Sequence, residues 1–102
     1  MEREILYSLI SEISGVKKGL SDSTRIYHDL LISGDDADEL LENIRNTLGT
    51  NFDGLDFSAY FPDETESFVF HLAARIGCKI KKKEMTIGHL LNVIRKKSWF
   101  DP

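Results

Sequence analysis

The sequence predicts an all-α fold, and three observations support this prediction. Apolar residues recur at intervals of three and four residues in several segments, as on the buried face of a helix. A glycine follows three of these segments, at the position where helices commonly end. No two neighbouring segments show the alternation of apolar and polar residues that a pair of strands requires. With 102 residues, the chain has the length of one domain, which we expect to span residues 1–102.

The first half of the chain contains two predicted helices and a long connection. Residues 3–14 predict the first helix, and residues 35–48 predict the second, whose first turn is crowded with acidic residues. The apolar faces of these helices consist of Ile5, Leu6, Leu9, Ile10 and Ile13, and of Ala37, Leu40, Leu41, Ile44 and Leu48. The connection 15–34 is unusually long for so small a domain. We therefore expect its own apolar residues to pack it against the core, or a short turn of helix to form near 26–31.

Two more helices are predicted in the middle of the chain. The apolar segment 50–62 predicts a short helix that Asp56 or Ser58 caps and that Pro62 ends. Residues 64–76 predict a longer helix with one buried apolar face. That face is expected to consist of Phe68, Val69, Leu72, Ala73 and Ile76.

The last helix follows a basic segment. Residues 78–85 predict a basic loop or a brief strand, and Thr86 then caps a helix over 87–97. Basic residues in the last turn of this helix suit the negative end of its dipole. We expect Trp99 and Phe100 to fold back over an exposed edge of the core.

The composition favours a cytoplasmic protein without a membrane anchor. The single cysteine, Cys78, excludes an internal disulfide. No apolar run approaches the ~20 residues of a membrane span. The acidic, amphipathic start MEREILYSL does not resemble a secretory signal. We therefore expect a monomer in the cytoplasm that does not contact a membrane.

The charges are divided unevenly along the chain. Residues 1–66 contain 15 acidic and 5 basic residues, a net charge of −10, whereas residues 67–102 contain 2 acidic and 8 basic residues, a net charge of +6. The overall value of −4 conceals this division. An uneven distribution points to charged partners more than the average does.

No pattern of catalytic or metal-binding residues occurs in the sequence. The glycines do not form a phosphate-binding loop. His28, His71 and His89 are scattered, and no spacing matches a zinc site or a calcium loop. His28, Asp29 and Ser33 are close in sequence, but sequence proximity does not make a catalytic triad. We expect no enzymatic activity, no metal and no cofactor.

An acidic cluster, which we call the acidic collar, marks the start of the second helix. It consists of Asp35, Asp36, Asp38, Glu39 and Glu42. Capping and solvation of a helix start explain about two acidic residues at such a position. The further carboxylates repel one another by a few tenths of a kcal/mol for each neighbouring pair. Docking on a basic partner protein would explain the excess, and the residues alone leave both explanations open.

A basic cluster, which we call the basic patch, lies in the second half of the chain. It consists of Arg75, Lys79, Lys81, Lys82 and Lys83. These residues could be a solvated loop, or they could contact phosphate or nucleic acid. No aromatic residues alternate with the lysines, and the acidic half of the chain would repel a polyanion. Binding of nucleic acid by a small regulator is therefore the least favoured alternative.

The segment STRIYHDLLISGDDADELLENIRNTLG resembles the central part of an acyl carrier protein. In that family an Asp-Leu pair leads into Asp-Ser-Leu-Asp at the start of an acidic helix, and a Glu-Leu pair follows. Here the pair Asp29–Leu30 and the pair Glu39–Leu40 stand at matching positions without a gap. The segments GDDADELL, FDGLDFSAYFPDE and MTIGHLLNVIRKKSW resemble a subfamily of small bacterial acyl-carrier-like proteins. The resemblance implies an acyl-carrier-like four-helix bundle, with an extra helix and a basic loop before the last helix.

The sequence departs from that family at the residue that carries its cofactor. A carrier protein attaches 4′-phosphopantetheine to a serine hydroxyl, and Gly34 occupies that position here. Glycine has no side-chain oxygen, so the resemblance implies a carrier-like protein that docks on a basic partner without a covalent arm. Ser33 offers the nearest hydroxyl, and phosphopantetheine on Ser33 is the alternative. The other role for Ser33 is the N-cap of the second helix, with Asp36 completing a short capping box.

Overall fold

A computed structural model of the chain describes residues 1–77 and 82–102. Five helices occur in these residues, and the only strand-like pairings described are two isolated bridges. The helices are α1 (Glu2–Ser14), α2 (Gly34–Leu48), α3 (Phe57–Tyr60), α4 (Glu64–Arg75) and α5 (Ile87–Lys96). The prediction of an all-α fold is therefore confirmed. None of the helices in the described residues is both long and apolar enough to cross a membrane.

Helices α1, α2 and α5 supply most of the core. Helix α1 packs against both α2 and α5. The buried apolar residues of these helices are Leu6 and Ile10 of α1, Ala37, Leu40, Leu41 and Ile44 of α2, and Ile87, Leu90, Leu91, Val93 and Ile94 of α5. Their spacing of three and four residues places them on one face of each helix, as predicted. Gly15 and Gly49 end α1 and α2 in the left-handed conformation.

The long connection before α2 is packed down by its own apolar residues and by a turn. Ile26, Tyr27 and Ile32 are buried, and residues 26–30 form the turn. Two backbone hydrogen bonds fasten the connection to the start of α5: the Ile26 N–H donates to the Met85 carbonyl at 2.8 Å, and the Ile87 N–H donates to the Thr24 carbonyl at 2.9 Å. The expected packing by apolar residues is therefore confirmed, whereas residues 26–30 form turns and not the expected turn of helix.

The C-terminal tail covers one edge of the core. The Trp99 N–H donates to the Asn51 carbonyl at 2.7 Å. The Trp99 ring stands edge-on to Tyr60, with 5.5 Å between ring centroids, and to His89, with 5.1 Å. The Phe100 carbonyl lies 2.8 Å from the His89 ring nitrogen Nε2. The prediction that Trp99 and Phe100 fold back is confirmed.

The predicted buried face of α4 is wrong. Phe68, Val69, Leu72 and Ile76 are exposed over 65%, 52%, 45% and 79% of their surfaces. Phe70, on the opposite side of the helix, packs against the core instead. Periodicity identifies an apolar face but does not identify what that face contacts, and α4 turns its narrower apolar side inward. The predicted loop or strand over 78–85 falls partly on residues 78–81, which lie outside the described residues.

Candidate functional site

The acidic collar is held on a rigid helix face and points to solvent. All five of its residues are exposed. The opposite face of α2 carries Ala37, Leu40, Leu41 and Ile44, which are buried in the core. Side chains at those positions fix the rotation of the helix about its axis, so the carboxylates between them must face outward. The collar is therefore presented as a preformed surface.

The charges of the collar are mostly uncompensated. Arg45 forms an ion pair with Glu42, at 2.7 Å between the guanidinium and carboxylate. Within residues 1–77 and 82–102, no ion pair joins any of the other four carboxylates to a basic side chain. The positive end of the α2 dipole stabilises negative charge only in the first turn. Beyond the first turn, Asp38 and Glu39 add negative potential, and neither forms an ion pair with a basic side chain in that part of the chain.

The entry to α2 has an unusual backbone. Ser33 is the N-cap with extended dihedrals (φ −154°, ψ 173°), as predicted. Its side chain makes no cap hydrogen bond, so the predicted capping box with Asp36 is not formed. Gly34, the residue after the N-cap, has a left-handed φ of 56°. This differs from the helical backbone that usually follows an N-cap and brings the capping hydroxyl close to the first amides of the helix. A side chain at position 34 would strain this conformation, although no atom lies within 4 Å of the place a Cβ would take.

Leu31 is a second unusual residue at the entry, and no sequence pattern predicts its conformation. It has a left-handed φ of 59° and is 69% exposed. Branched side chains rarely adopt this conformation. The Leu31 N–H donates to the Tyr27 carbonyl at 2.8 Å, and the next residue, Ile32, is buried. The burial of Ile32 and this hydrogen bond hold Leu31 in place.

An ion-pair network secures the turn that leads to the collar. The Arg25 guanidinium donates to both oxygens of the Asp29 carboxylate, at 2.8 and 3.1 Å, and the Arg25 backbone N–H donates to the same carboxylate at 2.8 Å. These hydrogen bonds hold the pKa of Asp29 below its usual range. Arg25 also pairs with Glu84 at 3.3 Å. The network links the turn to the segment before α5.

Among the surface grooves at the collar, two lie between the collar and neighbouring segments of the chain. One, of about 330 Å³, lies between the start of α2 and the segment from α3 to α4. Its lining residues are Gly34, Asp35, Asp38, Phe57, Ser58, Phe61, Pro62, Asp63 and Glu66. The other, of about 550 Å³, lies between Asp38, Glu42 and the segment 49–53. Both grooves are lined by acidic side chains and phenylalanine, and Arg45 also lines the larger one. The smaller groove therefore suits a basic side chain with an apolar stem better than the larger one does.

The basic patch is not one continuous surface in the described residues. Lys82 forms an ion pair with Glu66 at 2.9 Å, and only 11% of its side chain is exposed. Lys83 lies over the Tyr60 ring, 5.9 Å from the centroid. Arg75 is exposed at the end of α4, while Lys79 and Lys81 lie outside the described residues. The charge of Lys82 thus serves an internal contact that the sequence did not predict.

A capping box occurs at α4 in place of the one expected at α2. The Glu66 N–H donates to Asp63 Oδ1 at 2.7 Å, and the Asp63 N–H donates to Glu66 Oε1 at 3.4 Å. The sequence signal was Asp followed three residues later by Glu. As for metals, the described residues contain no group of three or more histidine, cysteine or acidic side chains that could hold one.

These features define an all-α protein with an exposed, preformed acidic surface at the start of α2. The chain matches the model of the family described as "Protein of unknown function (DUF1493)" over residues 2–101, and it therefore belongs to that family. No curated protein and no solved structure gives a significant match.

Proposed function

We propose that this chain is a non-enzymatic, acyl-carrier-like protein that docks on a basic partner protein through the acidic collar, without a covalent arm. The order of elements supports the carrier-like fold: a long helix, a long connection, an acidic helix, a short helix and a final helix. Helix α4 is then the extra element before the last helix. The collar occupies the position at which the resemblance places the docking helix.

The observation that carries this proposal is the state of the collar carboxylates. In the described part of the chain, Asp35, Asp36, Asp38 and Glu39 are exposed and form no ion pair with a basic side chain. Their mutual repulsion costs a few tenths of a kcal/mol for each neighbouring pair. A basic surface would relieve this repulsion and would also accelerate encounter by electrostatic steering. Docking therefore turns an unfavourable arrangement of charges into a favourable one.

The entry to α2 supports the absence of a covalent arm. Gly34, at the position of the carrier serine, has no hydroxyl and has a left-handed backbone that disfavours serine. The alternative function keeps the arm and attaches 4′-phosphopantetheine to Ser33. The observation in its favour is that Ser33 immediately precedes the helix in an extended conformation.

The two functions are separated by intact mass spectrometry. The purified protein is incubated with coenzyme A and a broad phosphopantetheinyl transferase, beside an authentic acyl carrier protein as a positive control. We expect the control to gain one phosphopantetheine and this chain to keep the mass of its polypeptide. A gain of one phosphopantetheine that disappears in Ser33→Ala would establish the alternative instead.

A further inference from the structure

The smaller groove at the collar gathers acidic residues from two parts of the fold. Asp35 and Asp38 contribute from α2, and Asp63 contributes from the position before α4. All three are exposed, and within residues 1–77 and 82–102 no ion pair joins them to a basic side chain. Asp35 and Asp38 are three residues apart, so they are neighbours on one side of the helix. The groove therefore presents negative charge from both of its sides.

The apolar part of the groove is aromatic and is held in place by the core. Phe57 is half-buried, and Phe61 and Pro62 are buried. The Phe57 and Phe61 rings are tilted against each other, with 4.9 Å between their centroids. The groove volume of about 330 Å³ is at the lower end of the range for small-ligand sites. It therefore has room for one long side chain, but not for a helix or a strand of a partner.

The chain itself already places one ammonium group at this groove. Lys82 Nζ donates to the Ser58 carbonyl oxygen at 2.5 Å and pairs with the Glu66 carboxylate at 2.9 Å. Ser58 and Glu66 both line the groove. Only 11% of the Lys82 side chain is exposed, so its apolar stem is buried while its charge is paired. A cation thus occupies the wall formed by Ser58 and Glu66, and the three exposed aspartates remain for a second cation.

We propose that this groove binds one arginine side chain of the partner protein. The inference rests on the proposed docking function and identifies the chemistry that the partner places at the start of α2. A guanidinium is planar and has five N–H donors, so it can donate to two carboxylates while its face lies against an aromatic ring. Asp35, Asp38 and Phe57 offer that combination. An ammonium is a compact, strongly hydrated charge without a planar face, so a lysine fits this groove less well.

The groove divides the collar into two kinds of carboxylate. Asp35 and Asp38 line it, whereas Asp36 and Glu39 do not. The first pair contacts the bound arginine. The second pair attracts it only by charge at longer range, and salt screens that attraction. Removing the charges of either pair changes the net charge from −4 to −2, so the two removals differ only in their position relative to the groove.

An NMR titration of the full chain with a short peptide tests the inference. The probe is acetyl-Ala-Arg-Ala-amide, at an ionic strength of about 0.15 M to screen longer-range attraction. We expect saturable shifts of the backbone amide signals of Gly34 and Asp63, with a dissociation constant of about 1–10 mM, since one side chain supplies the contact. The same peptide with lysine is expected to bind at least about threefold more weakly. The peptide with citrulline, which keeps the shape but not the charge, is expected not to bind measurably.

Two double variants locate the bound arginine. Asp35→Asn with Asp38→Asn is expected to weaken binding of the arginine peptide at least about fivefold, because it removes both charged acceptors. Asp36→Asn with Glu39→Gln removes the same charge outside the groove and is expected to weaken binding by less than about twofold. Circular dichroism checks that both variants keep the helical content of the wild type.

Three results would overturn the inference. Without saturable shifts at Gly34 and Asp63, the groove does not bind arginine. Equal weakening by the two double variants would show that the whole collar attracts the peptide and that the groove does not hold it. A lysine peptide that binds as tightly as the arginine peptide would remove the preference for arginine. The docking proposal is tested separately, by recovery of partner proteins after charge reversal of Asp36 and Glu39 outside the groove, so either proposal can fail while the other holds.

Discussion

At the scale of single residues, Leu31 and Gly34 determine how the chain enters α2. Both have a left-handed φ, of 59° and 56°. Glycine adopts this conformation without cost, whereas an L-residue with a side chain is penalised by roughly 1–2 kcal/mol. Ile32, between them, is buried. The entry therefore depends on a leucine that is held in an unfavourable conformation by its neighbours.

Replacing Leu31 with asparagine is expected to stabilise the protein. Asparagine tolerates the left-handed region, and the leucine side chain is 69% exposed, so little buried area is lost. We expect the free energy of unfolding to rise by about 0.5–1 kcal/mol in urea denaturation. Leu31→Ala is the control, because it removes the same apolar atoms but keeps the Cβ that causes the strain. Equal stability of the two variants would show that φ at this residue carries no strain.

At the scale of elements, the cap of α5 joins two parts of the fold. The Thr86 side chain accepts a hydrogen bond from the His89 N–H at 3.1 Å. Thr86 also forms an isolated bridge with Arg25 of the long connection. The start of α5 is thus both capped and tied to the turn that leads to α2. The sequence predicted the Thr86 cap, but it did not predict the bridge to Arg25.

Removing this cap is expected to destabilise the protein without unfolding it. We expect Thr86→Ala to lower the free energy of unfolding by about 1 kcal/mol, because the His89 N–H loses its acceptor at a helix start. Thr86→Ser keeps the hydroxyl and is expected to retain most of the stability. Both are measured by urea denaturation at one pH. If alanine and serine reduce stability equally, the hydroxyl does not act as the cap.

Local sequence patterns predict which segments are helices, but they do not predict how every helix is oriented. The helices α1, α2 and α5 follow from apolar spacing and from glycine or threonine at their ends, because those signals are local. The orientation of α4 does not follow, since Phe70 on one side and Phe68 and Leu72 on the other offer two apolar sides, and only the rest of the fold selects one. The left-handed Leu31 is likewise set by the burial of Ile32 and by a backbone hydrogen bond, which the residue type does not encode.

At the scale of the whole molecule, the uneven distribution of charge along the sequence produces one acidic surface, the collar, but no continuous basic surface in the described residues. The collar was predictable residue by residue, because acidic residues between buried helix positions must face solvent. The basic patch was less predictable, since Lys82 pairs with Glu66 of α4 and the sequence did not indicate which helix would approach it. The collar is therefore the charged surface on which the docking proposal rests.

The most direct test of the docking proposal is a quantitative pull-down with two charge-reversed variants. Asp36→Lys with Glu39→Lys alters the collar, and Glu4→Lys with Glu12→Lys alters two exposed residues of α1. Each pair changes the net charge from −4 to 0, so overall charge is matched. From a lysate of the source organism, we expect the proteins recovered by the wild type to be recovered equally by the α1 variant and at least about tenfold less by the collar variant. Equal recovery by all three proteins would contradict docking through the collar.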